Sequence, residues 1–453
     1  MSFKKDFIWG AAAASYQIEG AWNEDGKGFS TWDHFAEKQG AVYEGHSGKV
    51  ACDHYHRYKE DVQIMKEIGL QSYRFSISWP RVFPGGIGKV NDKGLDFYSR
   101  LVDELLANDI MPFPTLFHWD YPYELYAKGG WLNPDSSDWF AEYTAVVTEK
   151  LSDRVDHWFT LNEPEVFIDL GHVSGSHAPG VKLQKRDTIR MIHNTLLSHG
   201  KAVKTIRDLS KLTPQIGMAP VCNVVIPADD SEKSIETAKS MMFASDNEKD
   251  FTAWSNSWWL DPVFFGKYPE KSLKELGKYL PPDYEKDLDV ISQPLDFLGN
   301  NHYQGHYISA DEKGNPVYHK PQEGEALTGF NWRVTPEGLY WGPKFLYERY
   351  KKPIIITENG LSNKDWVALD GKVHDPQRID FTHRYLKEYK RAAEDGVDLA
   401  GYFHWSIMDN FEWAYGYRER FGLVHVDFNT QKRTIKDSGY WYGDVIRNNG
   451  LSL

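Results

Sequence analysis

Eight short strand-like segments recur along the chain at intervals long enough to hold a helix, and this rhythm constrains the fold more than any other feature of the sequence. They run from Phe7 to Ala11, Ser72 to Ser78, Met111 to Phe117, Val155 to Leu161, Gln215 to Val221, Leu295 to Asn300, Pro353 to Thr357 and Leu399 to Trp405. Helical patterns lie between them. From Tyr58 to Gly69, for example, Val62, Met65 and Ile68 fall at helical spacing and Gly69 stops the helix. Eight strands with helical spacers predict an α/β chain folded as a (β/α)8 barrel of the TIM type. Length alone would suggest about three domains. No Pro/Gly/Ser-rich or charge-block linker interrupts the chain, so a single domain over residues 1–453 is expected. The longer spacers, around Pro179 to Lys211, Ala228 to Leu288 and Gln304 to Glu337, read as insertions that build loops over the C-terminal mouth.

Two of the strand patterns run into carboxylates. In PIIITENG, Pro353 to Gly360, four β-branched residues lead straight to Glu358, followed by Asn and Gly. In VDHWFTLNEP, Val155 to Pro164, the strand pattern ends at Asn162 and Glu163, and Pro164 suits the first turn of a following helix. One Glu at a strand exit ordinarily just opens a loop. Two, far apart in sequence, could face one another across a barrel mouth. Paired carboxyls flanking a bond are what glycoside hydrolysis requires: one protonates the leaving oxygen, while the other attacks the anomeric carbon or activates water. Whether configuration is retained or inverted depends on the carboxyl separation, which the sequence leaves open.

Composition narrows the partners. A formal charge of −13 disfavours nucleic acid and anionic membrane, either of which calls for a basic surface. Aromatic residues make up 15% of the chain, with 17 Trp, more than a core requires, and rings of this kind suit the apolar faces of sugars. Cys52 and Cys222 form no metal or redox motif, and such sparse usage fits buried thiols in a reducing, cytoplasmic setting. Lys4 and Lys5 before FIWGAAAAS mimic a signal peptide. Asp6 interrupts the basic region, however, and cleavage there would remove the first strand. No apolar run is long enough for a transmembrane helix.

FIWGAAAASYQIEGA, SYRFSISWPR, TLNEP, ITENG and DNFEWAYGYRERFG, in that order between Phe7 and Asp427, resemble glycoside hydrolase family 1, the β-glucosidase type. The resemblance implies a retaining β-glucosidase that removes terminal non-reducing β-D-glucosyl residues from oligosaccharides or aryl and alkyl glucosides, with tolerance of galactosides or fucosides. It implies Glu358 as nucleophile and Glu163 as acid/base. Arg74 would point inward and pair with the nucleophile, keeping it ionised, and Tyr303 would lie in hydrogen-bonding reach of it. Gln17, His118, Trp119 and Asn301 would hold the sugar and Asn162 its 2-hydroxyl. Trp405 would lie beneath the ring, Glu412 and Trp413 at its distal hydroxyls, and Trp332 at the floor of the leaving-group side. No metal or organic cofactor is implied, and the expected partner is a small glycoside or short oligosaccharide. Members that use 6-phosphorylated sugars resemble one another in placing Ser where Glu412 stands, so a 6-phospho-β-glycosidase is the disfavoured rival. The other rival is a non-catalytic sugar-binding barrel, since fold does not fix function.

Several features read more plainly. Glu19 is expected in a structural pair. His54 and His56 are read as sharing a face but have no third ligand of matching spacing. The run Trp254 to Phe265, dense in rings, can be read as a binding platform but reads first as a helix packed on the outside of the barrel. Glu165 departs from the family's common pattern, in which Trp frequently follows NEP. It is expected either to line the leaving-group side or to turn into a salt bridge.

Overall fold

A strand apolar on both faces has to be covered on both, and a closed parallel barrel jacketed by helices does this. The structure, a computed structural model describing residues 2–453 other than 245, 246, 248 and 250, is such a barrel. Its strands are β1 (Ile8–Ala12), β2 (Ser72–Ser76), β3 (Met111–Phe117), β4 (His157–Asn162), β5 (Gln215–Ala219), β6 (Leu298–Asn301), β7 (Ile354–Asn359) and β8 (Leu399–Trp405). Hydrogen-bonded neighbours follow the order β5-β4-β3-β2-β1-β8-β7-β6. The seam between β5 and β6 closes without a regular ladder. There the Asp296 N–H donates to Ile216 O at 2.9 Å, the Asn301 N–H to Pro220 O at 3.0 Å, and the Ile216 N–H to the Asp296 carboxylate at 2.7 Å.

Strand ends differ from the sequence reading by a few residues. β7 was expected to stop at Thr357, yet it continues to Asn359 past a register shift after Ile356, with Glu358 opposite Asn301 in the ladder. The apolar pattern ends where side chains become polar. The strand itself follows its backbone ladder, which pairs Glu358 with Asn301 on one side and Asn359 with His404 on the other. Rings fill the barrel interior. Phe113 meets Phe403 at 5.1 Å and Phe159 meets Phe297 at 5.2 Å between centroids. A Cβ at Gly217 would lie 2.1 Å from the Phe297 ring, so β5 approaches this core only with glycine there.

The segment around Pro179 to Lys211 is not a loop over the mouth. It is largely a 25-residue helix, Lys185–Leu209, with Ile189, Ile192, Leu196, Val203 and Ile206 buried at helical spacing. The stripe is hard to read because His193, Asn194, Thr195, Ser198 and His199 are buried among them. The segments that follow β5 and β6 form a separate three-stranded sheet, Val224–Pro227, Gly305–Ala310 and Pro316–Tyr318. The 254–265 run divides: Asn256–Phe265 is a helix with Trp258 and Trp259 fully buried, whereas Trp254 lies outside it.

Glu19 accepts hydrogen bonds from Arg81 Nε at 2.9 Å and Tyr98 OH at 2.7 Å, all buried. His54 and His56 do not share a face, because residues two apart on a helix diverge. His54 is buried against Asp61 at 2.8 Å, while His56 is exposed between Asp53 and Glu24. Cys52 and Cys222 are free and buried. Among the described residues no helix is long and apolar enough to cross a membrane.

Candidate active site

In a parallel barrel every strand ends at the same face, so polar side chains at the exits converge there. Arg74, on β2, is the buried cation on which this convergence rests. Its Nη1 donates to Glu358 Oε1 at 2.7 Å and to Thr357 O at 3.1 Å, its Nη2 to Asn162 Oδ1 at 2.5 Å, and its Nε to Thr115 Oγ1 at 3.1 Å. The guanidinium, 5.1 Å from the Phe159 ring centroid, thus ties β2 to β3, β4 and β7. Tyr303 OH donates to the other Glu358 oxygen at 2.7 Å. Asn301 links the two strand exits: its amide donates to Asn162 Oδ1 at 3.0 Å and to Glu163 Oε1 at 2.9 Å, and its Oδ1 accepts the Thr357 hydroxyl at 2.5 Å.

The two carboxyls therefore sit in different surroundings. Burial raises both. At Glu358 the adjacent Arg74 cation, with Tyr303 and Asn301, opposes that rise. At Glu163 burial is reinforced by the Glu358 charge, which holds its proton well above the usual carboxylate range against the weaker pull of Asn301 and Arg74. Environments that push two carboxyls apart assign one to be the anion and the other the acid. Burial, with Arg74 next in effect, holds His118 well below the ordinary imidazole value. Its neutral Nε2 can then accept from the Asn162 amide at 3.1 Å.

Backbone conformation adds to the placement. Trp119 (φ 81°), Glu163 (φ 43°) and Trp413 (φ 50°) all occupy the left-handed region, at about 1–3 kcal/mol of strain apiece. Glu163 follows β4 and precedes the helix Pro164–His172, and the turn at φ 43° lies between the two.

On the far side of the mouth, the His118 ring stacks between Trp405 (5.8 Å) and Trp413 (6.0 Å). Gln17 Nε2 donates to Asn410 Oδ1 and Phe411 O at 3.0 Å and to Glu412 Oε2 at 3.3 Å. Burial, then the charges of Glu358 and Glu419, push Glu412 up to about 8.

These groups surround a cavity of about 360 Å³. Of the residues singled out from sequence, Glu163, Glu358, His118, Trp119, Asn301, Tyr303, Trp332, Trp405, Glu412 and Trp413 line it. Gln17, Asn162 and Arg74 lie behind this lining as its hydrogen-bonded support. The sequence reading missed Trp254, Phe330 and Tyr415 among the lining rings, and Asn223 and His306 among the polar groups. Phe330 stacks on Trp332 at 4.8 Å and meets Tyr415 edge-on at 4.5 Å. The signal available for it was its place two residues from Trp332, in FNW.

Glu165 follows neither expectation. It is 1% exposed, does not line the cavity and, among the described residues, forms no salt bridge; its carboxylate accepts the Val221 N–H at 3.3 Å.

The model of the family described as glycosyl hydrolase family 1 matches residues 1–451. The chain belongs to that family. Among family 1 relatives, it is 50% identical to beta-glucosidase A of Acetivibrio thermocellus over 460 aligned positions, covering 100% of this chain and 99% of that protein. It is 47% identical to a 1,4-beta-D-glucan glucohydrolase of Thermotoga neapolitana, covering 99% of each. Among solved structures, a beta-glucosidase from Thermotoga maritima in complex with glucoimidazole superposes with a TM-score of 0.90 at 44% identity, covering 99% of this chain and 100% of that one.

Proposed function

We propose that the chain is a retaining β-glucosidase that releases terminal non-reducing β-D-glucosyl residues from oligosaccharides and aryl or alkyl glucosides by double displacement. The observation that carries this reading is the pair of buried carboxyls joined through Asn301, only one of which is bonded to a cation. Glu358 attacks the anomeric carbon. As that bond forms, the bond to the leaving oxygen breaks and Glu163 gives its proton to that oxygen. In the second step Glu163, now a carboxylate, takes a proton from water; the water oxygen bonds to the anomeric carbon and Glu358 leaves as the anion. Asn162 lies behind the lining, fixed by Arg74, Asn301 and His118; its assignment to the 2-hydroxyl, a contact that strengthens as the oxocarbenium develops, rests on the family pattern. Trp405 lies under the ring, while Glu412 and Trp413 take the distal hydroxyls, with Gln17 holding Glu412 from behind the lining; its own contact with the sugar rests on the family pattern. Trp332 carries the leaving-group side.

The same reading extends to tolerance of galactosides or fucosides, a part in cellulose degradation, a cytoplasmic setting and one catalytic domain over 1–453. Following the released glucose by NMR tests the core of it. The β-anomer should appear first and mutarotate afterwards; α-glucose appearing first would overturn retention.

Against the 6-phosphate rival stand both the carboxyl at Glu412 and the lack of a countercharge. Among the described residues no Lys or Arg lines the cavity. Glu412→Ser should reduce kcat/KM for p-nitrophenyl glucoside by roughly 5- to 150-fold, from about 1–3 kcal/mol for sugar hydroxyls left without a partner. It should also improve the ratio of activity on the 6-phosphate to activity on the glucoside. An unchanged ratio would remove Glu412 as the determinant of substrate class.

A further inference from the structure

Glu165 is a buried carboxyl that the mechanism above leaves unused. It sits in the first turn of the helix Pro164–His172 and is bonded to the Val221 N–H. Val221 belongs to the β5–β6 seam, where it bridges in parallel register with Asn301. Asn301 in turn donates its backbone N–H to Pro220 O at 3.0 Å and its amide to Glu163 at 2.9 Å. The Glu165 carboxyl therefore holds the β5 side of the seam against the residue that holds Glu163.

We propose that Glu165 is a positioning residue for the acid/base carboxyl: it fixes Val221 at the seam and, as an anion in alkaline solution, keeps the proton on Glu163 by like-charge repulsion. This rests on the reading of Glu163 as acid/base. Glu163 is faced by Glu358 from β7, Arg74 from β2, Asn301 and Tyr303 from β6 and its exit, and Glu165 from its own helix. Glu165 is faced by the Cys222 thiol, which burial keeps protonated. Burial pushes Glu165 up to about 8, so its charge appears on the alkaline side of neutrality. Two adjacent buried anions without a second cation are disfavoured, and Glu163 therefore stays protonated to higher pH than it would alone. With the Glu165 charge removed, Glu163 should release its proton earlier.

The test is kcat/KM against pH for p-nitrophenyl glucoside in the wild type, Glu165→Gln, Glu165→Met and Glu163→Ala. Both Glu165 variants should move the alkaline limb down by about 0.5–1 pH unit, the scale of one partly screened carboxylate. Glu163→Ala should lose the limb; if it keeps it, the acid/base reading fails. A limb lost in Glu163→Ala but unmoved in both Glu165 variants overturns the role of Glu165. If neither variant folds, ¹³C titration of the wild-type glutamate carboxyls reads the same coupling. The Glu163 signal, assigned by its loss in Glu163→Gln, should move in two steps above neutrality, and a single step there overturns the proposal.

Discussion

Glu358→Gly is expected to lose turnover by roughly five to six orders of magnitude, the scale on which covalent nucleophiles matter, and to regain it in azide with α-glucosyl azide as the product. The reason lies in what the substitution leaves behind. Arg74 and Tyr303 both spend a hydrogen bond on Glu358. Removing its side chain vacates a buried, cation-lined space beneath the anomeric carbon. A small anion entering that space meets the Arg74 guanidinium and attacks from the face Glu358 used. With one displacement in place of two, configuration inverts from β to α. The measurement is the azide dependence of rate with 2,4-dinitrophenyl glucoside, with the product anomer assigned by NMR. A β-azide from this variant would show that the role assigned to Glu358 is wrong.

Glu163→Ala is expected to separate substrates by leaving group. Cellobiose, whose leaving alcohol needs a proton, should fall by about 10²–10⁴ in kcat/KM, the usual contribution of general acid catalysis. 2,4-Dinitrophenyl glucoside should fall far less at that step and should accumulate the glycosyl-enzyme, because no base remains to activate water. Azide attacks without base help, so it should accelerate turnover of that ester and give the β-glucosyl azide. The opposite anomers from the two variants make a paired readout: if both gave the same azide, the division of labour between the carboxyls would fall. The electrostatics set the expectation. Glu163 is raised by burial and by the Glu358 anion, so it is the protonated partner in the free enzyme. Activity should accordingly fail on the alkaline side as Glu163 loses its proton and on the acid side as Glu358 gains one.

The barrel was legible in the sequence because strands covered on both faces leave continuous apolar runs, and β3 and β8 coincide with those runs at both ends. The two glutamates were legible because a carboxylate at the end of such a run is conspicuous. The rim was not. Trp254, Phe330, Tyr415, Asn223 and His306 come from connections in which no period distinguishes a side chain facing the cavity from one facing solvent. Helix Lys185–Leu209 was hidden for a different reason: its buried face carries hydroxyls that bond to carbonyls one turn back, as Thr195 and Ser198 do, and an amide and imidazoles that bond to distant segments, as Asn194, His193 and His199 do. Glu165 was expected at the leaving-group side or in a salt bridge because it stands where the family commonly has Trp and because a buried carboxylate usually has a cation. Here that turn is packed beneath the cavity wall formed by Val221 and Cys222.

The seam between β5 and β6 has a consequence for breathing of the fold. Elsewhere around the barrel neighbouring strands share a ladder; at this point closure depends on a few backbone bonds and on the Asp296 and Glu165 carboxylates. Local opening follows the places where cooperative hydrogen bonding is thinnest, so this barrel should part first along a line that ends at Asn301 and Glu163. A sugar bound across the mouth touches residues from both sides of that line and acts as a clasp, holding closed the joint on which its own cleavage depends.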